Sequence, residues 1–304
     1  MALLDVVVQT NHGWLGNRNA PTPPEIRFQL TPDLYLEKLG PDAAKVVLDL
    51  GEPSGYGVVR PARQYGYFYA FVREVPEPAS VYDWDTDNRI QTAVALSRLV
   101  RPTSISYRYA ARLQLKGDGT VSHAFPAWLR GVDPDSWLAP EQSYRDWLIA
   151  EEFESLRTLL LNFSKATLPV RVSRALWYHE HAARTYYGEL RWIAVCTALE
   201  SLIHTHSRHS TRQFTTRVPQ MASMVGVRFD EQEAKMAYDM RSRLAHGGAT
   251  GKLAPVEEQL YVKLEAVLRS TVRRAMSDPA FANIFTDEDQ IRAHWPVKLR
   301  GKSV

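Results

Sequence analysis

The hydrophobic pattern of this 304-residue chain changes once, near residue 138, and that change limits the folds open to it. Before residue 138, short apolar runs alternate with turn residues, as in β-rich structure. After it, apolar residues recur three and four positions apart, which is the period of an amphipathic helix. The pattern therefore predicts an α+β protein, with a β-rich mixed N-terminal domain over 1–137 and an all-α region over 138–304.

Within the N-terminal domain, apolar runs of strand length follow one another between turn residues. They lie at 1–9, 25–30, 33–39, 45–50 and 65–75. One segment differs, because Ile90 and the apolar residues after it fall at helical spacing until Pro102, which cannot continue a helix. We expect one helix to interrupt the strands there.

The clearest strand pair is formed by residues 106–116 and 120–125, which are joined by a Gly-Asp-Gly turn at 117–119. Apolar and polar residues alternate along the first of these strands. Leu113 would therefore face the core and Arg112 the solvent. The alternation predicts a half-buried antiparallel hairpin.

The all-α region contains a succession of helical patterns whose ends coincide with proline, glycine or acidic residues. The predicted helices lie at about 140–161, 187–203, 212–225, 230–245, 255–276 and 287–295, and a further predicted helix begins at 169. The helix at 187–203 is apolar nearly all round, so we expect it to be central.

The amino-acid composition limits the cellular compartment in which we expect the protein and the kinds of site that it can contain. Cys196 is the only cysteine, which excludes an intrachain disulfide and a cysteine zinc site. No apolar run approaches the roughly 18 residues that a membrane-spanning helix needs, and the N-terminus lacks the basic start of a signal peptide. Residues 171–277 carry 16 Lys and Arg against 10 Asp and Glu, a net charge of +6 that suits a polyanion. We therefore expect a cytoplasmic protein that does not contact membranes.

An arginine followed by a histidine after four to six intervening residues occurs three times. The pairs are Arg241–His246, Arg174–His179 and Arg174–His181. With 28 Arg and 9 His, about 2.5 such pairs are expected from composition alone, so the spacing carries no weight by itself. Context distinguishes Arg241–His246, because Gly247 and Gly248 end the predicted helix there. His179 and His181 lie in the middle of a helix, where packing or surface roles are expected.

Three blocks of the chain resemble, in order and spacing, the HEPN superfamily and its ApeA-like branch. They are residues 191–202 with an Ala-Leu-Glu-Ser-Leu core, residues 217–226, and Tyr238-Asp-Met-Arg241-Ser-Arg-Leu-Ala-His246-Gly. Together they cover a HEPN core at about 170–277. Pro219 departs from the alanine usual in the family and is expected to kink or shorten its helix. The resemblance implies that the all-α region is a HEPN-type helical bundle.

The family resemblance implies an endoribonuclease that uses no metal and no cofactor, and that leaves a 2′,3′-cyclic phosphate and a 5′-hydroxyl. Arg241 and His246 would be catalytic, since arginine grips phosphate oxygens and histidine exchanges protons near neutral pH. The supporting residues would be Tyr238, Ser242, Asp239 and Glu200. Glu200 and Asp239 would orient Arg241, and Ser242 would hydrogen-bond the phosphate or a neighbouring group.

Arg243 and Lys252 would add phosphate contacts to RNA. The resemblance also implies a homodimer, so that two motifs line one cleft, and a role in antiphage defence or as a toxin. The N-terminal domain would respond to an unknown trigger or regulator. Two alternatives remain open: a non-catalytic HEPN module that binds RNA or nucleotide and dimerises, and a metal-dependent enzyme that uses the histidines between His204 and His209.

Overall fold

The computed structural model describes residues 2–9, 27–51, 69–75, 89–102, 110–126, 148–165, 167–185, 188–205, 208–247, 253–299 and 302–303. Backbone packing divides the chain into two units, Met1–Leu160 and Leu161–Val304. The domain boundary predicted at 137/138 lies outside the described residues and stays a prediction. The α+β class is confirmed, since an antiparallel sheet lies in the first unit and most of the helices lie in the second.

The first unit is built on a sheet of six strands among the described residues, in the order β2-β3-β4-β1-β5-β6, with every neighbouring pair antiparallel. Its strands are β1 (Ala2–Gln9), β2 (Phe28–Thr31), β3 (Leu34–Lys38), β4 (Tyr69–Val75), β5 (Ala110–Leu115) and β6 (Val121–Pro126). Its helices are α1 (Pro41–Gly51) and α2 (Arg89–Val100), and the division between the units falls within α3 (Ala150–Lys165). The strand predicted at 1–9 and the helix predicted before Pro102 are thereby confirmed.

The expected strand at 45–50 is wrong, because these residues belong to α1. Pro41 begins that helix, a position where its missing N–H costs nothing. Ala44 and Val47 lie three residues apart on one side of α1, and both are buried against the sheet beside Val6 and Val72. The short apolar run at 45–50 was therefore interpreted as a strand, although its apolar residues recur at helical spacing.

The predicted hairpin is confirmed as β5 and β6, but the expectation that Arg112 faces solvent is wrong, because Arg112 is buried. Asp5 on β1 is the direct cross-strand neighbour of both Arg112 on β5 and Arg73 on β4. Arg112 donates from Nε to Asp5 Oδ1 at 2.6 Å and from Nη2 to Asp5 Oδ2 at 2.9 Å, and its residue is only 1% exposed. Arg73 Nη1 lies 3.9 Å from the same carboxylate. We call Asp5, Arg73 and Arg112 the charged trio. A carboxylate from another strand makes burial of Arg112 tolerable, and local alternation cannot reveal such a partner.

The second unit contains the segment that resembles the HEPN core and is mainly helical. The all-α prediction for 138–304 is wrong at Lys298–Leu299 and Lys302–Ser303, which form two short antiparallel strands. Its elements are α4 (Val170–Arg184), α5 (Gly188–Ile203), α6 (Ser210–Met224), α7 (Glu231–Ala245), α8 (Pro255–Ser277), α9 (Pro279–Asn283), α10 (Glu288–His294), β7 (Lys298–Leu299) and β8 (Lys302–Ser303). The prediction that the helix at 187–203 is central is confirmed, because α5 contacts α4, α6, α7 and α8. Trp192, Cys196 and Leu199 of α5 have no exposed surface. Contrary to the expected shortening, α6 continues through Pro219 to Met224.

Candidate active site

The candidate site is built on the C-terminal end of α7. A capping box fixes the start of this helix, since Asp230 Oδ1 accepts from the Glu233 N–H and Glu233 Oε2 accepts from the Asp230 N–H. The helix ends at His246, the C-cap residue, and Gly247 follows with a positive φ of 77°. Glycine adopts that left-handed conformation without a Cβ penalty. The helix stop predicted after Arg241 therefore lies where the sequence indicates.

Glu200, near the end of α5, holds the guanidinium of Arg241. The Nη2 of Arg241 donates to Glu200 Oε2 at 3.0 Å, and the two side chains are 29% and 12% exposed. The Nε of Arg241 is buried and has no hydrogen-bond partner among the described residues. A fixed guanidinium with a donor still open is suited to an anionic ligand, because arginine binds phosphate oxygens through several N–H groups.

Tyr238 lies one turn before Arg241 on α7 and shares the same carboxylate. Its ring packs against Phe214 of α6, with ring centroids 5.0 Å apart, and the Cζ of Arg241 lies 5.8 Å from its own centroid. Burial raises the pKa of Tyr238, and the hydrogen bond and negative charge of Glu200 add to that rise. Tyr238 therefore keeps its proton at neutral pH and stands as a neutral hydroxyl beside the Glu200 carboxylate.

The other predicted residues of α7 are less constrained. His246 is exposed, and no hydrogen bond or ion pair joins its imidazole to another residue in the described ranges. Ser242 is half-buried, and its carbonyl accepts from the His246 N–H at 3.2 Å. Asp239 is exposed, and within the described part of the chain no contact joins it to Arg241. Of Glu200 and Asp239, which were both expected to orient Arg241, only Glu200 therefore contacts its guanidinium.

Of the two predicted RNA contacts, only Arg243 can be placed. Its Nη2 lies 3.6 Å from Glu257 Oε1 on α8, and the side chain is 61% exposed. Lys252 lies outside the described residues, as does Gly248. The structure thus brings Arg241, Tyr238 and Glu200 together, and it places Arg243 and His246 at the exposed end of the same helix.

A cleft that the sequence did not indicate adjoins this site. It has a volume of about 510 Å³ and is lined by α4, by α5 and by Thr286. Glu200 lines it on the α5 side, together with His204. Arg171, Arg174 and Tyr178 line it from α4. Residues three and four positions apart share one face of a helix, so this spacing could have indicated a common site. The same spacing occurs on ordinary solvated helix surfaces, so the sequence did not single these residues out.

In the described ranges, no three His, Cys, Asp or Glu side chains come close enough together to hold a metal ion. His206, a member of the histidine cluster, lies outside those ranges. No helix among the described residues has both the length and the apolar character needed to cross a membrane.

Comparison of the chain with protein-family models, with curated proteins and with solved structures gave no match. The HEPN resemblance therefore stays a prediction that rests on the three sequence blocks.

Proposed function

We propose that the second unit is a HEPN-type, metal-independent endoribonuclease that acts as a cytoplasmic homodimer. The observation that carries the proposal is the geometry of Arg241. Glu200 fixes its guanidinium, the Arg241 side chain stays 29% exposed, and His246 follows five residues later on an exposed helix end. This arrangement supplies one phosphate-binding cation and one proton-transferring group.

The proposed reaction is an internal transfer within the RNA. The ribose 2′-oxygen attacks the adjacent phosphorus while an imidazole removes its proton, and the bond from phosphorus to the 5′-oxygen breaks. The departing 5′-oxygen takes up a proton, so the products are a 2′,3′-cyclic phosphate and a 5′-hydroxyl. Arg241 stabilises the negative charge on the non-bridging oxygens, which is greatest in the transition state.

Each chain contributes one His246 to this scheme, whereas proton removal and proton delivery are two tasks. A second copy would supply the second imidazole, which is why the proposal includes a homodimer. We place the activity in antiphage defence or in growth arrest by a toxin, with the N-terminal unit responding to a trigger.

The test is cleavage of mixed RNA by the purified full chain in the presence of EDTA. We expect wild type to cleave and to leave cyclic phosphate ends. We expect His246→Ala and Arg241→Ala to reduce the rate by about 100-fold or more, since proton transfer and oxyanion stabilisation each contribute at least that much. His181→Ala is the matched control, because His181 is an exposed histidine that also follows an arginine at the family spacing. Its rate should equal that of wild type.

Equal rates in wild type, His246→Ala and Arg241→Ala, measured where the protein is dimeric, would exclude this nuclease. Cleavage that EDTA abolishes would instead support the metal-dependent alternative. Because a nuclease awaiting its trigger would be silent in vitro, growth arrest on overexpression of wild type, but not of His246→Ala, is a second readout.

One observation favours the non-catalytic alternative, a HEPN module that binds RNA or nucleotide and dimerises. No contact in the described ranges orients the His246 imidazole. That alternative expects RNA binding without cleavage in vitro, and equal growth with wild type and His246→Ala in cells.

A further inference from the structure

The cleft between α4 and α5 contains a cation, Arg174, that no described residue pairs with. Arg174 is exposed, and no hydrogen bond or ion pair joins it to another residue in the described part of the chain. Arg171, one turn earlier, donates from Nη1 to the carbonyls of Ser201 at 2.9 Å and His204 at 2.8 Å. The protein thus places two like charges side by side on one helix, which is unfavourable unless an anion joins them.

The balance of charge around the cleft leaves Arg174 as the uncompensated group. Burial lowers the pKa of Arg171, and although Glu288 opposes this shift, the positive charge of Arg174 adds to it. Glu288 lies 3.6 Å from Arg171 Nη2, so it compensates that arginine. Glu200, which also lines the cleft, is already paired with Arg241. An anion entering the cleft would therefore meet one free and one partly compensated guanidinium.

The same cleft offers flat rings beside these cations. Tyr178 lies one turn beyond Arg174 on the same wall and is half-buried. On the opposite wall, the Nε2 of His204 is buried and has no hydrogen-bond partner among the described residues. Burial lowers the pKa of His204, so its ring is neutral at pH 7. A neutral imidazole offers one donor and one acceptor nitrogen, and aromatic rings stack on nucleobases of any sequence.

We propose that this cleft binds a nucleoside phosphate, with the phosphate at Arg174 and Arg171 and the base against Tyr178 and His204. The ligand is either one residue of a single-stranded RNA or a free nucleotide. As a residue of RNA, it would lie next to the bond that is cut, because Glu200 borders the cleft and binds Arg241. In that form the inference rests on the proposed function.

The test measures binding, not cleavage, and uses the full chain carrying His246→Ala. A fluorescein-labelled ten-residue single-stranded RNA is titrated by anisotropy at several salt concentrations, and AMP and ATP are titrated by calorimetry. Arg174→Gln and Tyr178→Leu are compared with Arg228→Gln. Arg228 is a matched control, since it is exposed and lies just before the N-terminal end of α7. Arg241 lies in the last turns at the other end of a helix about 22 Å long.

We expect Arg174→Gln to weaken binding about 10-fold and to reduce the slope of log affinity against log salt by about 0.7, the value for one phosphate contact on a single strand. Tyr178→Leu should weaken binding by about 10-fold with an unchanged slope, because stacking releases no counterions. Arg228→Gln should change neither quantity. RNA that binds without competition from AMP or ATP identifies an RNA residue as the ligand, and a nucleotide that binds alone identifies the free form.

The proposal is overturned if neither ligand binds, or if Arg174→Gln weakens the binding of the ligand that does bind no more than Arg228→Gln does. Thermal unfolding checks that Tyr178→Leu is folded. If it is not, the comparison of Arg174→Gln with Arg228→Gln decides alone, because Arg174 is exposed. Failure of the proposed cleft and failure of the proposed nuclease give different results. Binding that depends on Arg174, with neither RNA cleavage nor growth arrest by wild type, removes the nuclease and keeps the cleft. Cleavage by wild type without that dependence does the reverse.

Discussion

Arg217 has no exposed surface although it carries a charge. Its Nη1 donates to the Ile203 carbonyl at 2.7 Å, to Gln213 Oε1 at 2.8 Å and to Thr205 Oγ1 at 3.0 Å, and its Nε donates to the Trp295 carbonyl at 2.8 Å. Burial lowers its pKa to about 10, so it remains charged at neutral pH. This arginine joins the end of α5 to α6 and to the segment after α10, which gives it a role in stability.

We predict that Arg217→Ala lowers the free energy of unfolding by about 3 kcal/mol or more, because it removes these four hydrogen bonds of a buried charged group. Arg212→Ala is the control, since Arg212 is an exposed arginine on the same helix. Urea denaturation followed by circular dichroism measures both. Equal losses in the two variants would show that the hydrogen bonds of Arg217 contribute nothing beyond an ordinary surface arginine.

Residues of the candidate site differ in how far the sequence could predict them. Glu200 and Asp239 were both expected to orient Arg241, and Glu200 does so through a 3.0 Å contact across 41 residues. Asp239 is instead exposed on α7, and no contact among the described residues joins it to Arg241. Arg174 was noted only for its spacing to histidines. Its place in a cleft depends on how α4 packs on α5, which no local pattern contains.

At the scale of elements, α4 and α8 are joined by a buried hydrogen bond. His179 Nε2 lies 2.8 Å from Glu265 Oε1, and Arg269 Nε lies 3.2 Å from the same oxygen. The sequence predicted a packing or surface role for His179, and its exposure of 2% confirms packing. Burial would raise the pKa of Glu265, but the charge of Arg269 and the hydrogen bond from His179 outweigh it, so that pKa is lowered.

The lowered pKa of Glu265 leads to a prediction about acid stability. A carboxyl whose pKa is lower in the folded state stabilises the fold fully above its unfolded pKa, ordinarily 4.5, and loses that contribution as the pH falls through the folded value. Glu265→Gln should therefore be less stable than wild type at pH 7, and the difference should shrink below about pH 4.5. Urea denaturation between pH 3 and pH 7 measures the difference. Glu258→Gln, an exposed change on α8, should follow wild type throughout.

Helices were predicted more securely than strands, for a physical reason. Helix ends in this chain are marked locally, as by Pro169 before α4, Asp230 before α7 and Gly247 after it. The order of strands depends on contacts between distant segments, such as β1 between β4 and β5, and no spacing within the chain indicates it. Short apolar runs are also ambiguous, which is why α1 was expected to be a strand.

For the whole molecule, the proposed function requires two copies of the chain to supply two imidazoles. We predict that specific activity is constant at high protein concentration and falls when the protein is diluted below its dimer dissociation constant. Sedimentation velocity at the same concentrations measures the dimer fraction. Full activity from a species that sediments as a monomer would contradict the two-copy site, while the His181→Ala control should follow the wild-type curve.

The charged trio of the N-terminal sheet has a consequence for how this chain can change during evolution. Loss of Asp5 leaves the buried Arg112 guanidinium without its carboxylate, while Arg73 keeps its contact with Asp33 at 3.4 Å. Loss of Arg112 leaves a buried carboxylate without its closest cation. Each single change is costly, whereas replacement of the whole group by apolar residues is often neutral. Substitutions at positions 5, 73 and 112 should therefore be correlated among descendants of this sequence. Intermediates that carry only one of these changes should rarely persist.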